Sequence, residues 1–278
     1  MGLRRGPIAL LFWLVAGPAA AASDAGTAGL DPGAGSVVNG VYLNPYFGLR
    51  YPLPAGWSPG PQPPAPSYSG YYVLATPSPP KGAEGTILAA AQDTFFAAPP
   101  VADARAMAED LAKSAATGGA KPILSDTVIA GRRFTRLDLA GSPLSRAVLA
   151  TDIRCHVVIF TFAAAKPEQL QRLVATLDGL QFSGGGAPAC RKGYVSAQTT
   201  RHRVEPAPAP PYFVELPARL LIDAAGRVAQ VHVIRGSPAQ RQNIADALAQ
   251  WRFAPYVADG RPASIETGLT FRFAPAGR

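Results

Sequence analysis

Short strand-like apolar runs punctuate this chain, some continuous and some alternating with polar residues, and the spacing changes to that of a helix in three places. Strand-like runs recur at residues 71–75, 86–92, 123–129, 134–139, 146–150 and 155–162. Two amphipathic segments interrupt them. In residues 101–115, Ala104, Met107, Ala108 and Leu111 share a face. In residues 167–180, Leu170, Leu173, Val174, Leu177 and Leu180 fall at helical spacing behind Pro167, which suits a first turn. Strands joined by tight turns such as Ala130-Gly131, with the helices set apart, predict an α+β fold: a mostly antiparallel sheet covered by helices.

The last third repeats this logic at smaller scale. Ala218, Leu220 and Ile222 share one strand face, Asp223 to Gly226 is turn chemistry, and Val228, Val231 and Val233 continue the pattern in a second strand. Ser237 is a good N-cap and Pro238 a good first residue for a helix carrying Ile244, Ala247, Leu248 and Trp251 on one face. After Asp259-Gly260, residues 263–273 alternate, with Ile265, Thr267, Leu269 and Phe271 on one side and Glu266, Gly268 and Thr270 on a polar side. The result is a small ββαβ unit without a catalytic group.

This order resembles the C-terminal domain of TonB-family proteins across residues 211–273, through Ile222-Asp223, Gly226, Val228, Val231, Ala247-Leu248, Trp251-Arg252-Phe253-Ala254-Pro255, Asp259-Gly260 and Phe271-Arg272-Phe273. The resemblance implies a periplasmic unit whose last strand accepts an extended segment of an outer-membrane transporter as an added strand. Here that places the docking edge on residues 263–273, with Glu266, Thr267, Gly268, Leu269 and Thr270 at its centre. An unpaired sheet edge offers the backbone donors and acceptors such recognition uses. The rival is a structural strand whose edge is capped by dimerisation or by the rest of the chain.

Residues 40–183 resemble, more loosely, the PsbP-like α/β/α family, through Asn44-Pro45-Tyr46-Phe47-Gly48, the downstream Gly56-Trp57 and the strand Val157-Val158-Ile159-Phe160-Thr161-Phe162. That resemblance implies a binding or scaffolding domain. It supports an alternative function: a periplasmic ligand-binding protein using Trp57, Tyr68, Tyr71 and Tyr72, with the C-terminal unit structural.

The N-terminus changes the compartment. Arg4 and Arg5 precede the apolar run 8–16 and then Ala19-Ala20-Ala21-Ala22, the layout of a signal peptide cleaved before Ser23. The run is shorter than the ~20 residues of a spanning helix, so no stable membrane anchor is expected after cleavage. Energy-transducing TonB proteins keep a membrane helix and a long Pro-rich arm, features not expected here, so the resemblance by itself does not imply energy transduction. Residues 23–40 are poor in large apolar groups and read as a disordered leader, 41–183 as the first domain, 184–210 as a Pro-rich linker and 211–278 as the second domain.

Cleavage lowers the formal charge from +8 to +6, since only Arg4 and Arg5 carry charge within the removed residues. The densest basic group, Arg191, Lys192, Arg201 and Arg203, lies in the linker with a single aromatic, Tyr194, between its two halves and no nucleic-acid motif, so nucleic acid is not an expected partner. Two cysteines in an exported chain favour a Cys155–Cys190 disulfide, provided the Cα atoms come within bridging distance.

A metal site would need more ligands than His156 and Cys155 can supply from opposite strand faces. His156 reads as a sheet histidine beside Val158 and Phe160, His202 as a linker residue and His232 as solvated. With no nucleophile-and-base pattern or phosphate-cradling loop, neither enzyme activity nor a cofactor is expected.

Overall fold

The structure is a computed structural model describing residues 28–141, 143–183 and 188–275. The expected signal peptide at 1–22, the first part of the leader and Gly184-Gly185-Gly186 lie outside the described residues. Among the described residues no helix is long and apolar enough to cross a membrane.

The chain enters through a single 3-10 turn, Ala28–Leu30, followed by β1 (Ser36–Val38), β2 (Val41–Asn44) and β3 (Leu49–Pro52). Next come β4 (Tyr71–Ala75), β5 (Thr86–Asp93), α1 (Ala104–Thr117), β6 (Lys121–Ile129), β7 (Arg132–Ala140), β8 (Ser145–Ile153), β9 (His156–Ala164), α2 (Pro167–Ala175) and β10 (Gln181–Phe182). Strands β4 to β9 form one antiparallel sheet in the order β4-β5-β9-β8-β7-β6. Alternation along its strands divides two cores. Leu137, Val148, Val157 and Ile159 pack with Ala104 and Ala112 of α1. Phe134, Leu149, Val158, Phe160 and Phe162 pack with Leu170, Leu173 and Val174 of α2 and with Tyr42, Leu49 and Tyr51 of the small sheet β1-β2-β3-β10. This is an α+β architecture of mostly antiparallel strands, as the sequence pattern implied. One detail differs: α1 buries Ala104, Ala108 and Ala112, whereas Leu111 is exposed.

The C-terminal elements are β11 (Ala189–Cys190), β12 (Thr200–His202), β13 (Glu215–Ile222), β14 (Val228–Val233), α3 (Pro238–Gln250), β15 (Arg252–Phe253), β16 (Val257–Ala258), β17 (Arg261–Pro262) and β18 (Ile265–Arg272). Their main sheet runs β11-β18-β13-β14. Helix α3 begins with a capping box: the Ser237 hydroxyl accepts from the Gln240 amide, and the Gln240 side chain accepts from the Ser237 amide. Trp251 and Phe253 close a core with Leu216, Leu220, Ile244, Leu248 and Phe271.

Two expectations are overturned. Part of the supposed leader is structured: Leu30 is fully buried in the first core, the Pro32 carbonyl accepts from Asn44 Nδ2 at 2.8 Å, and β1 pairs with β2. One leucine is too little to fold a segment alone, but a pocket supplied by the rest of the chain is enough to hold it. The linker is likewise wrapped around the C-terminal unit. Its Tyr194, Val195, Val204 and Ala209 pack on that core. Its carbonyls at Val204, Ala207 and Ala209 accept from Trp251, Asn243 and Gln240. A proline-rich strand cannot donate from proline nitrogen, yet it keeps every carbonyl for side-chain donors.

Candidate docking edge

The candidate strand β18 lies antiparallel to β13 from Glu215↔Arg272 to Ile222↔Ile265. Which of its backbone groups are free follows from the central strand. The Pro217 carbonyl accepts from the Ile234 amide beside β14, so alternate residues 217, 219 and 221 turn their polar groups toward β14. Their partners on β18, Thr270, Gly268 and Glu266, therefore turn theirs outward. The Arg191 amide donating to the Glu266 carbonyl at 2.9 Å, from the far side, agrees with this parity. Thr267, Leu269 and Phe271 use their backbone groups on β13.

The outer edge is divided. β11 runs parallel to its beginning, with Ala189 opposite Ile265 and Cys190 opposite Glu266. Beyond Glu266, among the described residues, no strand pairs with it. The free groups are those of Gly268, Thr270 and Arg272.

The sheet face carrying Arg219, Glu266 and Gly268 packs onto the first unit. Arg219 is fully buried and donates through Nη1 to Asp93 Oδ2 at 2.6 Å and through Nη2 to Glu266 Oε2. Glu266 Oε1 accepts from Arg154, whose guanidinium also donates to the Tyr46 carbonyl at 2.9 Å and stacks 4.0 Å from that ring. The Tyr46 hydroxyl donates to Glu266 Oε2 at 2.9 Å. Two guanidiniums thus meet two carboxylates at a site where Arg219, Asp93 and Glu266 are fully buried and Arg154 reaches in from the surface, and an unmatched buried charge there would cost several kcal/mol. Burial works against the charge on Arg219, but Asp93, Tyr46 and Glu266 outweigh it and hold its pKa above the ordinary arginine value.

His156 closes this cluster, boxed edge-to-face by Tyr46, Phe47 and Tyr72. Its Nδ1 lies 2.8 Å from the Arg154 carbonyl, and because a carbonyl only accepts, Nδ1 carries the proton. Nε2 then presents a lone pair 3.6 Å from Asp93 Oδ2 and has no hydrogen-bond partner. Burial, reinforced by Arg219, drives the His156 pKa well below its usual value, so the ring is neutral.

Residues 216–275 match the family described as Gram-negative bacterial TonB protein C-terminal. This covers the β13-to-β18 unit and leaves the larger N-terminal unit outside. A solved structure, the solution structure of cyanobacterial PsbP (CyanoP) from Synechocystis sp. PCC 6803, is similar at 12% identity, covering 51% of this chain and 91% of that one with a TM-score of 0.37. No curated protein matches the chain.

Within the TonB-like unit the residues placed at the centre of the docking edge have unequal environments. Glu266 and Thr267 are fully buried, Gly268 and Leu269 are half-buried and Thr270 is exposed. The side of β18 read as polar is thus internal at Glu266, partly covered at Gly268 and exposed at Thr270 and Arg272. A Cβ on Gly268 would stand 2.6 Å from Phe96 Cζ and 3.2 Å from Phe95 Cβ, so glycine is what lets those rings approach. Cys155 and Cys190 are joined by a disulfide, with Cα atoms 5.6 Å apart.

His232 is not solvated as expected. It lies between Tyr72 Oη at 3.4 Å and Asp31 at 3.7 Å, and burial lowers its pKa. The aromatic group of the alternative reading is divided: Tyr72 and Trp57 pack on the core that also holds α2, Tyr71 packs on the opposite core and Tyr68 is exposed under Arg235. Sequence reasoning missed Asp93, Arg154 and Arg219 altogether. The one available signal was Arg219, a charge centred in the apolar run Leu216 to Ile222.

Proposed function

We propose that this is an exported protein, cleaved before Ser23 and resident in the periplasm, whose TonB-like unit recognises a protein partner by β-strand addition on the outer edge of β18. The observation that carries this reading is the stretch from Gly268 to Arg272, unpaired among the described residues, whose outward backbone groups lie at the rim of the sheet. The side chains central to the earlier expectation are largely committed inside, so recognition rests on main-chain hydrogen bonds, with Thr270 and Arg272 supplying exposed side chains.

The partner fitting this edge is a short extended segment, as in the periplasmic part of an outer-membrane transporter. The larger unit acts as a platform holding the sheet. No catalytic role, cofactor, nucleic acid or retained membrane anchor enters the proposal.

The test compares Thr270→Pro with Thr270→Val in the full mature chain. Proline removes one outward amide while leaving the β13 ladder intact, and edge positions facing solvent tolerate it. Partner capture from native envelopes should fall at least tenfold for Thr270→Pro and stay near wild type for Thr270→Val. A folded Thr270→Pro protein that captures as well as wild type overturns the proposal.

A further inference from the structure

β11 occupies part of the edge assigned above to a partner. It is only Ala189–Cys190, extended by the Arg191 amide bond to the Glu266 carbonyl, yet it adds a parallel strand to the start of β18. A two-residue pairing is far below what persists in water unaided. The disulfide holds it there. Cys155 lies in the β8–β9 turn, whose preceding residue Arg154 grips Glu266, so one hairpin tip fastens β18 and β11 together.

We propose that β11 is a resident strand on the docking edge, retained by the Cys155–Cys190 disulfide and released when a dithiol reductant opens it. This rests on reading β18 as the docking edge. Release extends the free edge from Gly268 back to Glu266, adding one outward-facing residue to the three, Gly268, Thr270 and Arg272, already free.

The chemistry is ordinary exchange. A thiolate of the dithiol attacks Sγ of Cys190, which belongs to an exposed residue, and Cys155 leaves as a thiolate that takes up a proton. The second reductant thiol then closes on the mixed disulfide, freeing Cys190. Two electrons and two protons pass to the protein, and the reductant ends as a disulfide.

The loosening should be local. Upstream, the Ser183 amide stays bonded to the Gly48 carbonyl. Downstream, the Tyr194 hydroxyl stays on the Ala254 carbonyl at 2.6 Å. Arg154 keeps Glu266 in place. What remains on β11 is the half-buried Ala189 against the C-terminal core and the exposed Arg191, whose Nε donates to Tyr256 Oη at 2.5 Å and whose guanidinium lies 4.7 Å from that ring; a small side chain and an exposed cation–ring contact contribute less than the covalent tie.

Amide hydrogen exchange resolved by NMR on the full mature chain tests this without a partner, comparing oxidised protein, protein reduced with dithiothreitol and the Cys155→Ser/Cys190→Ser variant. The Arg191 amide should exchange at least tenfold faster in the last two, while Thr267 and Leu269, bonded to β13, change less than twofold. Undiminished Arg191 protection after reduction overturns the proposal, as does a matching loss at Thr267 and Leu269, which would mean the sheet itself has loosened. Failure of the Thr270→Pro test would remove the docking edge and leave this exchange pattern unaffected, so the two claims fail separately.

Discussion

Arg219 and Asp93 face each other across the boundary between the two units, Nη1 to Oδ2 2.6 Å, both fully buried. A buried pair of this kind contributes little net stability against an apolar substitute, because desolvation offsets the attraction. Its effect is geometric: with Glu266 on one side and His156 on the other, it sets one placement of the TonB-like sheet on the larger unit. The part of that sheet's polar face carrying Arg219, Glu266 and Gly268 is therefore spent on the intramolecular contact, and recognition is left to the edge and the exposed Thr270 and Arg272.

Replacing one member should expose the cost of the others. Arg219→Met leaves Asp93 and Glu266 without their shared cation and should lower unfolding free energy by about 3–5 kcal/mol. Urea denaturation measures this. The Arg219→Met/Asp93→Asn double variant should lose less than the sum of the single losses, and strict additivity would show that the two residues do not act together.

The buried neutral His156 gives a pH dependence with a definite sign. Its folded pKa lies below the unfolded value of about 6.5, so its contribution is complete above that value and is lost as pH falls toward the folded pKa. Stability should therefore decline between pH 7 and 5. His156→Asn, which retains a donor for the Arg154 carbonyl, should be the more weakly pH-dependent protein across that interval. Parallel wild-type and variant curves from thermal melts would contradict the assignment.

Gly268 is required by Phe95 and Phe96. Gly268→Ala should cost about 1–3 kcal/mol through overpacking. Because Phe96 also packs on the first core, Phe96→Ala has its own cost, but it removes the ring tip 2.6 Å from the new Cβ, so the double variant should lose less than the sum of the single losses. Denaturation of the single and double variants decides it, and a neutral Gly268→Ala would contradict the contact.

Export predicts a mature N-terminus at Ser23. Intact mass of protein taken from the native envelope should lack residues 1–22, and retention of Met1 in the inner membrane would contradict the cleaved form.

Most secondary structure was legible because it rests on local signals. Ala130-Gly131 and Asp259-Gly260 take positive φ at their turns, Ser237 caps α3 as its hydroxyl predicts, and period-two runs became strands. The relation between the units was not legible. Glu266, Gly268 and Thr270 alternate like a solvated face, and alternation records that a face is polar without recording whether another charged surface covers it. Asp93, at the end of β5, and Arg154, in a hairpin turn, occupy positions where charged residues are ordinary, so nothing in their neighbourhoods marks them as buried partners. The parity of the edge was not legible either: Thr267, at the centre of the expected edge, turns its amide inward to β13, which only the register of β13 reveals.

Strand addition between Gly268 and Arg272 can be trapped in place by site-specific photo-crosslinking in native envelopes. Benzoyl-phenylalanine at Thr270 should give an adduct to an extended periplasmic segment of an outer-membrane protein, identified by mass spectrometry. The same probe at exposed Val257, on the separate β16–β17 hairpin, should give none. Equal labelling from both positions, or no adduct from Thr270 in a folded protein, would contradict it.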